Sequence, residues 1–247
     1  HPMTAYFYLM RTLVVTPTYN ERKNIAEFLE CLLKIDPNLH ILIVDDNSPD
    51  GTGDYVKEVS KTTPRVHLIQ RPRKLGLGSA YKTGFEYAVK NGYDVIIQMD
   101  ADFSHNPNDI RRFINAIKEA DVVLGSRYIN GVRVINWPIT RLLLSYFANL
   151  YARYMTGLPF VDLTSGFKCY RRKVLESLPW HCIKTTGYGF QIETLFWAYY
   201  KRFKIKEIPI VFTERSEGSS KMTKKIIWEA FWLVNKLLLY RILRRVK

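Results

Sequence analysis

Cysteine is scarce in this chain: Cys31, Cys169 and Cys182 are the only three among 247 residues. An odd number, widely spaced and without a CxxC pairing, argues against a disulfide framework or a zinc site and fits a reducing compartment. Long apolar runs are also missing, since no window offers the ~18 uncharged apolar residues of a spanning helix. The opening HPMTAYFYLMRTLVV has too short an apolar stretch before Arg11 for a secretory leader, and His1-Pro2 ahead of Met3 reads as a vector remnant. Glycine and proline are dispersed, leaving no linker, low-complexity tract or internal repeat. Acidic side chains are few: 23 Asp and Glu stand against 37 Lys and Arg, a net charge of +14. That balance favours an anionic partner such as a nucleotide, a lipid headgroup or nucleic acid. No nucleic-acid motif interleaves the basic residues, which sets the last aside.

What is present is enough apolar residue, 47% of the chain, to bury one sizeable core. The first half alternates strand and helix. RTLVVTPTYN, HILIVDDNSPDGTGD, VHLIQRP, DVIIQMDAD and DVVLGSRY read as strands ending in polar residues, with helical patterns between them, one running from about Asn108 to Ala120. KLGLGSA reads as a glycine-containing loop. Strands this continuously apolar predict a mostly parallel sheet covered by helices on both faces. Ligands bind such sheets at the carboxyl ends of the strands. Four polar clusters fall there: TPTYNE, VDDNSPDGT, QMDADFSH and GSRY. After Gly131 the style changes to long, aromatic-rich apolar segments dotted with cations.

Asp100 and Asp102 end an apolar strand one residue apart. Paired hard oxygens there suit Mg²⁺ or Mn²⁺, which in turn bridges diphosphate oxygens. The competing reading makes them caps of the next helix, but Asn106 and Asn108 lie closer to its start and leave the aspartates without a structural task. In NSPDG, turn geometry alone explains Ser48 to Gly51, though not Asp45 or Asp46.

TPTYNERKNI, ILIVDDNSPDGTGD, GLGSAYKTGF, QMDADFSHNP, VLGSRY, DLTSGFKCYRR and GYGFQIE, in this order, resemble the dolichol-phosphate mannosyltransferases, or polyprenol monophosphomannose synthases, over roughly residues 11 to 221. These are inverting glycosyltransferases of family 2. The resemblance implies an α/β, Rossmann-like GT-A fold with C-terminal amphipathic interface helices. It divides the chain into a catalytic domain over 1–221, with an acceptor-side helix at about 137–157, and a membrane-surface helix over 222–247. It further implies that Pro17, Tyr19, Glu21, Val44, Asp45 and Asp46 hold the donor nucleotide, with Asp100, Ala101 and Asp102 at its diphosphate. Asp100 and Asp102 would bind the divalent cation. Some members have Gln where this chain has Ser104, so a water or substrate oxygen would complete the metal shell here.

Because the acceptor phosphate is already an anion, the implied reaction needs no strong general base; it needs positive charge around a departing diphosphate and an incoming phosphate. Candidate catalytic residues beside Asp102 are Arg127, Arg141, Arg215 and Lys221, with Arg127, Arg141 and Ser145 at the acceptor phosphate. By resemblance the segment from Arg215 to Lys221 is a closing loop, in keeping with Gly218 and its flanking serines. His105 has two readings, phosphate binding or orientation of Asp102 on one side and local packing on the other. Asp162 and Thr164 to Gly166 either shape the acceptor site or form a turn, and Cys169 and Cys182 read as core fillers.

The segments 137–157 and 223–245 carry aromatics beside Lys and Arg, as interfacial helices do at anionic membranes; packing on the sheet is the alternative. The expected protein is therefore a cytoplasmic enzyme, peripheral on a membrane surface and compatible with a separate transmembrane subunit. It would move mannose from GDP-mannose to a polyprenyl or dolichyl phosphate with inversion. The same chemistry with UDP-glucose, and a non-catalytic membrane-bound nucleotide-binding scaffold, are the alternatives.

Overall fold

A computed structural model describes residues 10–187, 189–214 and 224–243, with the side chains of 224–227 excepted. Arg215 and Lys221, the expected closing loop, and the terminal Arg244 and Arg245 lie outside the described residues.

The strands form where apolar residues run continuously: β1 Thr12–Thr18, β2 Leu39–Asp45, β3 Val66–Gln70, β4 Val95–Gln98 and β5 Val122–Ser126. Between them lie α1 Arg22–Ile35, α2 Thr52–Thr62, α3 Leu77–Lys90 and α4 Asp109–Ala116. The second half adds β6 Val134–Ile135, α5 Ile139–Thr156, β7 Lys168–Arg171, α6 Arg172–Ser177, α7 Gly189–Tyr200, β8 Ile205–Pro209, β9 Phe212–Thr213 and α8 Lys224–Ile242. Seven strands make one sheet in the order β3-β2-β1-β4-β7-β5-β8, and β6 pairs with β9. Every pairing in the large sheet is parallel except those of β7, which runs antiparallel between β4 and β5.

The strands β1, β2, β4 and β5 are buried on both faces, which is why they read as near-continuous apolar runs. Along β1, Leu13 and Val15 join one core cluster with α3 and α7, while Val14 joins the other with α1 and α4. The first ten residues of α7 are all buried, so this helix is apolar on every side and serves as core. Leu233, Val234 and Leu237 of α8 belong to the same cluster as α7.

The loop expected at KLGLGSA is shorter than its glycines suggested. α3 begins at Leu77, with Gly76 at φ 97° making the turn into it, a conformation that glycine adopts without a Cβ penalty. Gly84 of the same helix lies directly on β1, where a Cβ would come 2.2 Å from Val15 Cγ1. Gly84→Ala should therefore force helix and strand apart and destabilise the protein by roughly 1–3 kcal/mol. In a thermal melt that is roughly 2–4 °C of Tm for each kcal/mol, and a melt matching the wild type would contradict this contact.

Candidate active site

The carboxyl ends of β1, β2, β4 and β5 share one rim, so the polar clusters that follow them in sequence are brought together in space. Between this rim and helices α5, α7 and α8 lies a cleft of about 1260 Å³. Tyr19, Glu21, Asp100, Asp102, Arg127, Arg141 and Ser145 all line it, joined by Ser104, His105 and Gln191.

β4 ends at Gln98 and the chain turns sharply over Asp100 to Ser104, with Phe103 at φ 56°. This turn aims both carboxylates into the cleft. Tyr81 Oη donates to Asp100 Oδ1 at 2.6 Å. Ser104 donates to Asp102 Oδ1 through its N–H at 2.9 Å and its hydroxyl at 2.6 Å. Each aspartate thus does have a local structural contact, made by one oxygen. The second oxygen of each receives no donor among the described residues. Burial, with the neighbouring Asp102 charge adding to it, pushes the Asp100 carboxyl up to about 7. Two carboxylates held this way are costly unless a cation lies between them, so the donor set fits a divalent metal. Asn106 and Asn108 do not cap α4 through the Ncap position: Asn108 makes no side-chain cap bond, and Asn106 Oδ1 instead accepts the Asn108 N–H at 3.0 Å.

Positive charge enters from β5. Arg127 is buried and held as a fork: Nε and Nη2 donate to the two oxygens of Asp162, each at 2.7 Å, and Nη2 also donates to Thr164 Oγ1 at 2.8 Å. The backbone N–H of Arg127 donates to Asp162 Oδ2 as well, at 3.0 Å. Asp162 and Thr164 are therefore the supports of Arg127 rather than mere turn residues. Arg141, on α5, pairs with Glu214 and stacks 4.4 Å from the centre of the Trp137 ring. Ser145, one turn further along, accepts a hydrogen bond from Tyr128 Oη at 2.7 Å.

On the donor-nucleotide side, Tyr19 is exposed, with Lys74 Nζ 4.1 Å from its ring centre. Glu21 turns the chain into α1, its carbonyl accepting the N–H groups of Asn24 and Ile25. Pro17, Val44, Asp45, Asp46 and Ala101 stand outside the cleft lining. Asp45 is fully buried and accepts from Thr18 Oγ1 at 2.8 Å and from Ser48 Oγ at 2.6 Å. Asp46 accepts from Arg71 Nε at 2.5 Å and from the Leu75 N–H at 3.1 Å. The Asp46–Arg71 pair is buried on both sides and ties β2 to the loop before α3. Ser48 to Gly51 behave as turn residues, with Gly51 at φ 83° entering α2 and Asp50 accepting from Thr52.

Gln191 and Trp137 are among the cleft residues that the sequence did not mark. Gln191 lies within the GYGFQIE motif and Trp137 among the aromatics of an interfacial helix; neither carries charge to draw attention. Beyond the polar end, the cleft continues between α5 and α8 along Leu144, Phe147, Tyr151, Ile192, Phe231 and Val234. The outer faces of these helices carry Tyr146, Tyr154, Trp228 and Trp232 in the open. Packing and exposure thus hold for different faces of the same two helices. No helix among the described residues is long and apolar enough to cross a membrane.

In fold, the chain is similar to glucosyl-3-phosphoglycerate synthase from Mycobacterium tuberculosis in complex with UDP. The TM-score is 0.68 at 16% identity, covering 96% of this chain and 83% of that one. The mostly parallel sheet flanked by helices is thus the GT-A arrangement expected from the sequence. In sequence, the chain is 45% identical over 226 residues to polyprenol monophosphomannose synthase of Mycolicibacterium smegmatis, covering 91% of this chain and 85% of the relative. It is 42% identical over 221 residues to undecaprenyl-phosphate mannosyltransferase of Micrococcus luteus, covering 90% and 91%. The sequence model of glycosyl transferase family 2 matches residues 13–178, from β1 through β7 to the end of α6. With its motifs on one rim of that fold and relatives this similar along nine-tenths of its length, the chain belongs to glycosyl transferase family 2.

Proposed function

We propose that this glycosyltransferase moves mannose from GDP-mannose to the phosphate of a polyprenol, dolichol included, with inversion at the anomeric carbon. The observation that carries this reading is the composition of the cleft. Its polar end joins an Asp pair to Arg127 and Arg141, and its other end is an apolar channel between α5 and α8. An anionic headgroup on a long hydrocarbon chain fits both ends at once. The names of the relatives from Mycolicibacterium smegmatis and Micrococcus luteus support mannose and polyprenyl phosphate as donor sugar and acceptor.

Mg²⁺ or Mn²⁺ held by Asp100 and Asp102 would supply charge neutralisation for the departing diphosphate. A neighbour in fold carries Mn²⁺ with its UDP, which supports a divalent ion of this kind. Tyr19 offers its ring, and Glu21 its carboxylate, to the base and ribose of the nucleotide. Asp45 and Asp46 act on that subsite by fixing the strand end and the loop through Ser48 and Arg71. Arg127, clamped by Asp162, presents a fixed guanidinium to phosphate oxygens. Arg141 reaches the acceptor phosphate by exchanging its Glu214 partner for it, beside the Ser145 hydroxyl. No residue is needed as a strong base, because the attacking phosphate oxygen is already charged.

The exposed aromatics of α5 and α8 then meet the lipid surface from which the acceptor is drawn, on the cytoplasmic side where sugar nucleotides are held, with or without a separate membrane subunit. The test is transfer of radiolabelled sugar to a short polyprenyl phosphate from GDP-mannose and, separately, from UDP-glucose, with Mg²⁺, Mn²⁺ or chelator. The expected result is lipid product from GDP-mannose with either metal and none with chelator. Product from UDP-glucose alone would replace the donor, and nucleotide binding without any product would favour the scaffold reading.

A further inference from the structure

Gly166 leaves a one-atom space in the floor of the cleft. A Cβ on it would lie 3.4 Å from Asp100 Oδ2 and 3.9 Å from both Gln191 Nε2 and His105 Nε2. The orientations of the last two groups are fixed from behind, and both present an N–H to that space.

The Gln191 amide is set by its oxygen. Oε1 accepts from Lys168 Nζ at 2.8 Å and from Gln98 Nε2 at 2.7 Å. A flipped amide would bring N–H against two donors, so the NH₂ group must face the cleft. Lys168 is fully buried and also donates to the Gln191 carbonyl at 2.8 Å. Burial pushes its ammonium down to about 7, and either protonation state keeps an N–H for Oε1. Tyr170 Oη is 3.5 Å from Gln98 Oε1, which orients Gln98 in turn.

His105 is set by its other nitrogen. Nδ1 is buried and has no hydrogen-bond partner among the described residues, with the ring held between Phe167 and Phe212. A proton on Nδ1 would be a stranded donor, which is costlier than a bare lone pair. The proton therefore sits on Nε2. Burial also pushes the ring down to about 4, so it stays neutral near pH 7. A metal-ligating histidine needs the opposite arrangement, an Nδ1–H with an acceptor behind it.

Two neutral N–H donors and one carboxylate oxygen around a single space suit a hydroxyl, which accepts from the first two and donates to the third. An anionic phosphate oxygen would instead meet Asp100 Oδ2 directly. We propose that the space over Gly166 is the subsite for one hydroxyl of the transferred sugar, with Gln191 and His105 as its donors and Lys168 and Gln98 as positioning residues for Gln191. This rests on the reading that the cleft holds a sugar nucleotide.

Gly166→Ala tests it, because the added methyl makes only ordinary contacts in the empty protein yet occupies the place of the hydroxyl. Titration calorimetry with Mn²⁺ would compare GDP with GDP-mannose on wild type, Gly166→Ala, His105→Gln and His105→Leu. The expected result is a GDP affinity within about twofold of wild type in all three variants. GDP-mannose should lose about tenfold in Gly166→Ala and His105→Leu, a change of about 1.4 kcal/mol, and little in His105→Gln, whose amide N–H reaches the same point. GDP and GDP-mannose weakening together in Gly166→Ala would overturn the proposal in favour of a metal or diphosphate role, and no change in either would overturn it outright. Wild type binding GDP-mannose no tighter than GDP would instead count against GDP-mannose as donor. The UDP and UDP-glucose pair then takes its place, and the subsite stands or falls on whether Gly166→Ala removes that difference. A wild type that gains nothing from the sugar in either pair overturns both.

Discussion

Asp102→Ala lowers the rate of sugar transfer by roughly 10²–10³-fold or more, the scale set by removing one preorganised electrostatic group from a reaction that develops charge. The same change removes the acceptor for the Ser104 N–H and hydroxyl, at 2.9 Å and 2.6 Å, so a stability cost of about 1 kcal/mol accompanies it. Asp102→Asn separates the two effects. It keeps an oxygen for Ser104 but removes the charge that faces the cleft, so stability should return while transfer stays low. Transfer kinetics and a urea melt on both variants provide the check, and an Asn variant retaining more than about a tenth of wild-type activity would show that the charge of Asp102 is not what the reaction uses.

The second large effect concerns the clamp beneath Arg127. Asp162 is fully buried and Arg127 nearly so, so Asp162→Ala takes the carboxylate from beneath a buried guanidinium and should cost about 3–5 kcal/mol. Replacing both partners by apolar residues, Arg127→Met with Asp162→Leu, removes the buried charge as well and should recover much of that stability. It cannot recover activity, because no cation then stands at the end of β5. Folding free energies from urea denaturation and transfer rates on the single and double variants decide the matter. A double variant that is both stable and active would mean that Arg127 serves the fold alone.

These two side-chain groups differ in how far they could be read in advance. Asp100 and Asp102 were legible because a buried strand that ends in two carboxylates has few structural uses for them, and the parallel order of β1, β2 and β4 brought the neighbouring clusters to the same rim. The support of Arg127 was not, since its partner lies 35 residues away and DLTSG explains itself locally as a turn. A separation of 25 residues likewise hid the Asp46–Arg71 pair, which makes Asp46 a tie between β2 and the loop before α3.

In the fold, β1, β2, β4 and β5 were legible as unbroken apolar runs. β7 was not: KCYR carries a lysine and an arginine, and its place between β4 and β5 is set by pairings across the sheet. Lys168 is nonetheless fully buried, which composition never favours for lysine. Its hydrogen bonds to Gln191 explain its position, and they also explain why a neutral glutamine ended up oriented in the active site. The helix start at Leu77 was hidden by glycines whose task is close approach: Cβ atoms on Gly76 and Gly78 would meet Thr186 and Phe190 at 2.9 Å and 2.8 Å.

The central claim, transfer of mannose from GDP-mannose to a polyprenyl phosphate, is tested most directly by a balance on that reaction. Purified protein, GDP-mannose, Mn²⁺ and polyprenyl phosphate in detergent are incubated together, and the GDP released and the mannosylated lipid formed are both quantified. The account predicts one lipid product for each GDP, and almost no GDP without the lipid, because water, unlike a phosphate oxygen, must lose a proton in order to attack. GDP release that continues without the lipid, or that exceeds lipid product several-fold, would contradict it.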